Sequence, residues 1–230
     1  MTITQNVSKI VYKHGADLFG IASLDRFDKA PKGFHPSDIY SKTKSVIVFA
    51  KRLPTENLYA NSAVPFSHLN NIGAQIVDTI SFKISIDIEA IGIKNVIIPS
   101  DDPSEYWDEE TKTARGILSL RHAGYLAGLG VIGRNNLLIN ELYGNMIQIG
   151  ALLSETEIEP SRIAEYKACP DDCRICIDTC PVKALDGITV NQKACRPLST
   201  YKNVRGFLIK KCYNCRKNCP LSTGLKNNMT

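Results

Sequence analysis

The distribution of cysteine constrains this chain more than any other feature. All eight cysteines of the 230 residues lie between 169 and 219, and the first 168 residues contain none. They form two groups, each of which ends in Cys-Pro: Cys169, Cys173, Cys176 and Cys180, then Cys195, Cys212, Cys215 and Cys219. In a reducing compartment, closely spaced cysteines are metal ligands or catalytic groups before they are disulfides. We therefore expect a metal-binding region in the last third of the chain.

The spacing within each group predicts iron–sulfur clusters. Bacterial two-cluster ferredoxins use C-x2-C-x2-C-x3-C-P, in which the fourth cysteine binds the other cluster. This crossing rule predicts one [4Fe–4S] cluster on Cys169, Cys173, Cys176 and Cys219, and a second on Cys180, Cys195, Cys212 and Cys215. Eight cysteines then fill eight positions. Cys169 departs from the pattern, because three residues separate it from Cys173 where two are usual.

Two other uses of the cysteines are open. Paired C-x2-C units also hold structural zinc, although the two x3-C-P endings fit iron–sulfur clusters better. Four disulfides would need an oxidising compartment, and the N-terminus MTITQNVSKI shows no signal peptide.

The shift in cysteine content also predicts a domain boundary. A break near Glu159-Pro160-Ser161 divides the chain into a first domain over 1–160 and a second over 161–230. In the first, helical segments are expected at 4–14, 69–88 and 117–127, and strands at 45–50, 95–99 and 146–154. The segment up to residue 88 is ambiguous, because part of it also alternates like a strand. We predict an α/β (α+β) domain built around one sheet.

Composition and charge exclude several classes of protein. No apolar run reaches 18 residues, so no membrane span is expected, and we predict a cytoplasmic protein. The formal charge of +5 is compatible with an acidic protein partner or an anionic small molecule, and equally with a basic face that binds nothing. It is too small to argue for nucleic acid.

A glycine-rich segment in the first domain is the next candidate site. Gly128, Gly130 and Gly133 lie in RHAGYLAGLGVIGRNN, between a helical segment and an apolar run. Such a turn lets backbone N–H groups approach a phosphate or a flat cofactor. A Rossmann fingerprint would follow a strand and open a helix, which is the reverse order. The alternative is a helix C-cap followed by a tight turn.

The chain resembles a known family. AGLGVIGRNNLLIN, the following YGN and IGALLS, and the double-cluster segment ending in Cys-Pro are similar to the epoxyqueuosine reductases and the corrinoid-dependent reductive dehalogenases. SVIVFA and IPSDDPSEYWDEE resemble the shorter members of the group. The resemblance implies a nitroreductase-like domain that binds cobalamin and a ferredoxin-like domain that supplies single electrons. The cofactors would carry the difficult chemistry.

The resemblance suggests roles for further residues, and each has a structural alternative. Tyr106 and His122 are the predicted catalytic proton donors, and His122 is also a candidate ligand for a corrinoid amide. The alternatives are that Tyr106 only packs to anchor its loop, and that His122 is a packed or surface residue of its helix. We expect the glycines and their polar neighbours to bind the cofactor, or else to form a polar turn: Gly128, Gly130, Gly133, Arg134, Asn135 and Asn136.

Two departures from the family limit the resemblance. Epoxyqueuosine reductases carry a proton-donating carboxylate in an Asp-Thr-x-Pro-like segment about fourteen residues before the glycines, where this chain has Ala114-Arg115-Gly116-Ile117. Asp108, Glu109 or Glu110 could take its place, or be solvated surface groups. The sequence given also stops eleven residues after Cys219, without the C-terminal region of the longer enzymes. On that ground tRNA is not expected as a partner.

Three function classes follow. The first is a reductase in which two clusters pass electrons to a corrinoid that reduces an unknown small molecule. The second is an electron-transfer protein that activates a corrinoid protein and has no substrate of its own. The third is a reductase with FMN in the first domain. Each needs a low-potential electron donor such as a ferredoxin or flavodoxin.

Overall fold

The computed structural model describes residues 1–103, 105–111 and 113–225, so the last five residues of the predicted second domain lie outside it. Within these residues the helices are α1 (Ile3–Lys13), α2 (Pro36–Ile39), α3 (Ala63–Ala90), α4 (Leu120–Leu126), α5 (Ile175–Asp178), α6 (Gln192–Ser199) and α7 (Asn214–Lys217). The strands are β1 (Leu18–Ser23), β2 (Ser45–Arg52), β3 (Asn95–Ile98), β4 (Tyr106–Asp108), β5 (Thr113–Arg115), β6 (Val131–Ile132), β7 (Leu138–Ile139), β8 (Ile147–Ser154), β9 (Thr200–Lys202) and β10 (Leu208–Lys210).

A four-stranded antiparallel sheet organises the first part of the chain. Its order is β1-β2-β8-β3, and Ile47 in β2 lies opposite Ile21 on one side and Leu152 on the other. Six consecutive residues of β2 are buried, because both faces of the sheet are covered. The strands predicted at 45–50, 95–99 and 146–154 are confirmed to within two residues.

The long isoleucine-rich segment is helical, which settles its ambiguity with a strand. Ser62 caps the start of α3 by accepting a hydrogen bond from the backbone N–H of Val64. Gly92 follows the last turn with φ +86°, a conformation that glycine adopts without strain. Length favours the helix, since 28 residues exceed any ordinary strand.

Only part of the four-residue repeat in α3 faces the core. Ile80, Ile84 and Ile88 are buried against the sheet, whereas Ile72 and Ile76 are 36% and 41% exposed.

We expect Ile84→Ala to lower the free energy of unfolding by about 2–5 kcal/mol, because it removes buried methyl groups and leaves a cavity. Ile76→Ala is the matched control and should cost less than about 1 kcal/mol. Urea unfolding measures both, and equal effects would contradict the assigned core face.

Helices cover both faces of the sheet. On one face, α1 and α3 pack on alternate residues of β2, Ile47 and Phe49. On the other face, α4 and the segment after it pack on Val46 and Val48. The mixed α/β class is therefore confirmed, and the nitroreductase-like arrangement stays a prediction. None of the helices in the described ranges is long and apolar enough to span a membrane.

The predicted boundary falls in an extended segment that lies against the first part of the chain. The backbone N–H of Ser161 donates to Ile21 O at 2.9 Å, and Ser161 Oγ accepts from the Ile21 N–H. Tyr166 donates its hydroxyl hydrogen to Ile139 O. The segment thereby carries the chain along the first part before the cysteines begin.

The cysteine-rich region then packs on the start of α3 and on the loop before β8. Tyr213 stacks on Phe66 with ring centroids 4.1 Å apart, and the Lys210 N–H donates to Ser67 Oγ. A Cβ at Gly144 would lie 2.1 Å from Leu221 O. Glycine at 144 thus permits the close approach of the two regions.

Candidate cluster and cofactor site

The thiol of Cys219 lies among the first group of cysteines. Burial, together with the neighbouring thiols of Cys169, Cys176 and Cys173, raises the pKa of Cys219 to about 11. Cys219 also shares an apolar cluster with Cys169. The structure thus brings the last cysteine in the sequence to the first three.

The thiol of Cys215 lies in a second group. Burial raises its pKa to about 11; Arg216 opposes this rise, and the thiols of Cys195, Cys212 and Cys176 contribute to it. The contact of Cys176 with Cys215 joins the two groups where α5 packs against α7. Cluster ligation requires thiolates, so bound iron would have to offset this burial.

Cys180 is the last cysteine of the first group in the sequence. It is buried, and its Sγ accepts a hydrogen bond from the Ala184 N–H at 3.2 Å. No described group of three or more His, Cys, Asp or Glu side chains is arranged to hold a single metal ion. A four-iron cluster differs from such a site, because its thiolates bind four separate irons. The ligand sets, Cys180 included, stay predictions.

Two polar residues after the glycines bind the cysteine loops. The guanidinium of Arg134 donates to Cys173 O at 2.8 Å and to Asp171 O at 2.7 Å, and its backbone N–H lies 3.5 Å from Cys169 Sγ. Asn135 donates to Cys215 O at 3.1 Å. Both were expected to bind the cofactor. In the structure the turn after β6 lies directly against both groups of cysteines, and the predicted cofactor role of the two residues stays untested.

The three glycines are explained by packing within the protein. A Cβ would lie 2.1 Å from Arg162 O at Gly128 and 2.3 Å from Ile139 O at Gly130. At Gly133 it would lie 2.4 Å from the side chain of Ile139. The chain itself approaches these positions, so the glycines are required whether or not a cofactor binds there. Their predicted role in cofactor binding stays untested.

An open cavity of about 440 Å³ lies between the first part of the chain and α7. One side is formed by α4, the strand β8 and the residues before β4, and the other includes Arg216, which lies between two of the cysteines. Of the residues predicted to bind a cofactor, only Asn136 lines it. Asn136 adopts φ +60°, which asparagine tolerates better than most residues, and so turns the chain into β7 along the cavity.

The cavity wall carries polar atoms without partners. Both side-chain atoms of Asn145, and Nε of Arg121, are buried without a hydrogen bond in the described part of the chain. Burial lowers the pKa of Arg121. Buried polar groups without partners are uncommon and costly, so these atoms are suited to hold a polar ligand. No role was predicted for either residue from the sequence, although Asn145 ends the YGN segment and Arg121 begins the glycine-rich segment.

Arg216 connects the cavity to the cysteines. Its guanidinium donates to Asn145 O and lies close to Met146 Sδ. Burial lowers the pKa of Arg216, and the Cys215 and Cys219 thiolates oppose that effect. The positively charged side chain of Arg216 thereby interacts with both thiols and also lines the cavity.

Neither of the two predicted catalytic residues is among the described residues that line the cavity. His122 lies at the surface of α4, with Nδ1 2.7 Å from Ser119 Oγ. Partial desolvation of its ring, together with the neighbouring Arg121, lowers its pKa. Tyr106 is 40% exposed and packs on Phe34 with centroids 4.9 Å apart. Ser119 and Arg121 occupy the cavity side of α4. The catalytic roles of Tyr106 and His122 stay predictions.

The acidic residues considered as substitutes lie on the exposed hairpin of β4 and β5. Asp108 accepts a hydrogen bond from the Thr111 N–H, which lowers its pKa, whereas a proton donor at neutral pH needs a raised one. Glu109 accepts from Trp107 Nε1 at 2.6 Å. The one acidic residue among the described lining residues of the cavity is instead Asp101.

Comparison with known proteins identifies the relatives. No family model matches the chain. An epoxyqueuosine reductase from Staphylococcus aureus is 27% identical over 97% of this chain and 65% of its own length. A tetrachloroethene reductive dehalogenase from Desulfitobacterium hafniense is 28% identical over 79% of this chain and 39% of its own length. The chain is related to the epoxyqueuosine reductases and the reductive dehalogenases. It spans less than two thirds of either relative.

Solved structures of the same two groups share the fold. A catabolic reductive dehalogenase in complex with 3-bromo-4-hydroxybenzoic acid matches 96% of this chain and 32% of its own, with a TM-score of 0.72 and 16% identity. A second dehalogenase, whose structure suggests a mechanism for B12-dependent dehalogenation, matches 93% of this chain and 31% of its own, with a TM-score of 0.68 and 15% identity. The resemblance inferred from the sequence is therefore confirmed.

The expectation that tRNA is not a partner is wrong. A solved epoxyqueuosine reductase with an epoxyqueuosine-modified tRNA-Tyr stem loop matches 96% of this chain and 65% of its own, with a TM-score of 0.65 and 18% identity. The argument against tRNA relied on where the given sequence ends, which carries no information about partners. The FMN alternative gains no support, since none of these relatives is described as a flavin enzyme.

Proposed function

We propose that this chain is an iron–sulfur oxidoreductase that carries two [4Fe–4S] clusters and a corrinoid, and that it reduces an organic substrate. The clusters would be held by the two sets of cysteines predicted from the crossing rule. The corrinoid would occupy the cavity beside Arg216. When bound, such a group supplies the reactive metal centre, while the protein supplies binding, orientation and charge.

The position of the cavity is the observation that carries the proposal. Arg216 lines the cavity and interacts electrostatically with Cys215 and Cys219, which the crossing rule assigns to different clusters. Electrons that arrive at either group would therefore have a short route to the cavity. The kinship with reductive dehalogenases and epoxyqueuosine reductases supports the same arrangement.

The chemistry of the lining residues fits a corrinoid. Corrinoids carry several amide side chains, and an asparagine can both donate to and accept from an amide. Asn145 is 1% exposed, and neither of its polar side-chain atoms has a partner within the described residues. Arg121 adds a donor beside the same space. The cavity is open, so a large cofactor could extend beyond its walls.

Replacement of Asn145 tests this fit. We expect Asn145→Leu to weaken cobalamin binding about tenfold, because a buried hydrogen-bonding group is worth about 1–3 kcal/mol. The ligand-free variant should be as stable as the parent or more so, since the side chain has no partner to lose. Asn61→Leu, at an exposed position, is the control. Cobalamin titration followed by absorbance measures the affinity, and an unchanged affinity would contradict the assignment.

We assign the proton-donor role to Asp101, because it is the acidic residue among the described residues that line the cavity. A reduced organic intermediate needs a proton, and a carboxyl group is suited to provide it. We expect Asp101→Asn to slow substrate turnover at least tenfold and to leave cluster reduction unchanged. Loss of both would indicate a damaged fold.

Anaerobic purification with iron and sulfide analysis tests the proposed cofactors directly. About eight irons per chain are expected for two four-iron clusters. Titration with cobalamin and, in parallel, with FMN then separates the two cofactor classes by absorbance and EPR. Turnover is assayed with an epoxyqueuosine-modified tRNA stem loop and with a halogenated hydroxybenzoate, the ligands seen with solved relatives. Iron without corrinoid or flavin binding would instead favour an electron-transfer protein.

A further inference from the structure

The charge of the chain is strongly segregated. Residues 187–230 contain nine Lys and Arg and no Asp or Glu, whereas the preceding 186 residues contain 19 Lys and Arg against 23 Asp and Glu. The modest charge of the whole chain conceals this division. The basic segment begins after the first group of cysteines and contains the four cysteines from Cys195 onward.

The most exposed part of this segment is the hairpin formed by β9, β10 and the turn between them, residues 200–210. Its side chains Val204, Phe207 and Leu208 are 102%, 64% and 59% exposed. Lys202 and Arg205 are exposed among them, and no ion pair neutralises either one within the described residues. An apolar centre with an unneutralised basic rim is typical of a docking surface.

The hairpin grows directly from one group of thiols. Cys195 lies in α6, which continues into β9, and Cys212 follows β10 by two residues. Both cysteines are partly exposed, and both approach Cys215. The backbone N–H of Lys211 donates to Ser199 O at 2.9 Å, which closes the base of the hairpin beside these thiols. A partner on the hairpin would therefore contact the protein next to the second predicted cluster.

We propose that this basic hairpin is the docking surface for an acidic one-electron carrier protein. The inference rests on the proposed function, because it requires a cluster on Cys195, Cys212 and Cys215. One electron would leave the carrier, which is oxidised by one unit, and enter the cluster, which is reduced by one unit. No proton or group would move. Small, transient redox interfaces of this kind are steered by opposite charge.

A carrier protein fits the surface better than RNA does. Electron entry requires close approach to a cluster, and the hairpin is the exposed element flanked on both sides by cluster cysteines. Of the three apolar side chains exposed at its centre, Val204 and Leu208 are aliphatic and give bases nothing to stack on, and Phe207 is the one aromatic ring among them. RNA binding to the hairpin is retained as an outcome of the test.

Charge reversal on the hairpin tests the proposal with the cluster-loaded protein. The double variant Lys202→Glu, Arg205→Glu is compared with Lys9→Glu, Lys32→Glu, which changes the net charge equally at exposed positions in the first part of the chain. The probe is a purified acidic [2Fe–2S] ferredoxin. At low salt we expect the hairpin variant to bind oxidised ferredoxin at least tenfold more weakly and to be reduced by the reduced form at least tenfold more slowly. High salt should remove most of the difference.

Reduced methyl viologen, a small cation, separates this proposal from the proposed function. It should reduce the clusters of the wild-type protein and of both double variants at similar rates, because it needs no docking surface. Equal reduction of the two variants by ferredoxin would overturn the docking surface and leave the cluster assignment intact. A wild-type protein without reducible clusters would overturn both. A hairpin variant that loses only tRNA stem-loop binding, with normal reduction by ferredoxin, would assign the surface to RNA and also overturn the proposal.

Discussion

Cys173→Ala and Cys219→Ala should each reduce the iron content from about eight to about four per chain, and the double variant should still hold about four. The reason is that both thiols are assigned to the same cluster, so removing the second ligand costs nothing more. Cys212→Ala combined with Cys219→Ala should instead leave almost no iron, since those thiols belong to different clusters. Iron analysis of anaerobically purified protein measures all five samples.

The double variants make the test specific to the crossed ligation. If ligation followed the order of the sequence, Cys219 would pair with Cys212, and the two double variants would exchange their results. Cys180→Ala combined with Cys212→Ala tests the assignment of Cys180 to the same cluster as Cys212. This double variant should leave about four irons. EPR of the remaining cluster, together with circular dichroism, distinguishes loss of one cluster from loss of the fold.

Arg216→Met should lower the reduction potential of the clusters by an amount on the order of 100 mV. A buried positive charge near an iron–sulfur cluster favours the reduced, more negative form, and charges a few ångströms apart interact by several kcal/mol at an effective dielectric constant of about 20. Arg216 is placed for this effect because it interacts with the thiolates of Cys215 and Cys219. Potentiometric titration followed by EPR measures the shift.

Arg216→Lys is the matched variant, since it keeps the charge and loses the planar guanidinium. It should shift the potential much less than Arg216→Met does. Both variants weaken the hydrogen bond to Asn145 O, so both should lower thermal stability. Equal shifts in potential from the two substitutions would show that packing, and not charge, is the cause.

Much of the fold could be predicted because the relevant signals are local. A run of apolar residues at 45–50 can be buried on both faces only in a central strand, and β2 is that strand. A segment as long as α3 cannot be a single ordinary strand, which decides between two periodicities that the sequence leaves equal. The edges of these elements shifted by a few residues, since caps and first turns depend on their surroundings.

The candidate site was predicted only in part. Cysteine spacing is a local pattern, and it identified all eight candidate ligands before any contact between them was known. The glycine motif was also recognised in the sequence, but the reason why glycine is required at its positions could not be predicted. At Gly128 and Gly130 the approaching atoms belong to Arg162 and Ile139, and nothing in the local sequence shows which distant backbone will be there.

The sequence by itself determined the cysteine-rich region, the strands of the sheet and the kinship with two groups of reductases. The crossing rule already predicted that Cys219 joins Cys169, whereas only the tertiary structure decided that Arg121, Asn145 and Arg216 share one cavity. Arg121, Asn145 and Arg216 lie 24 or more positions apart from one another in the chain and share no common motif. Spacing and periodicity report what a segment does over a few turns, whereas a cavity and its unpaired polar atoms arise where separate elements pack together.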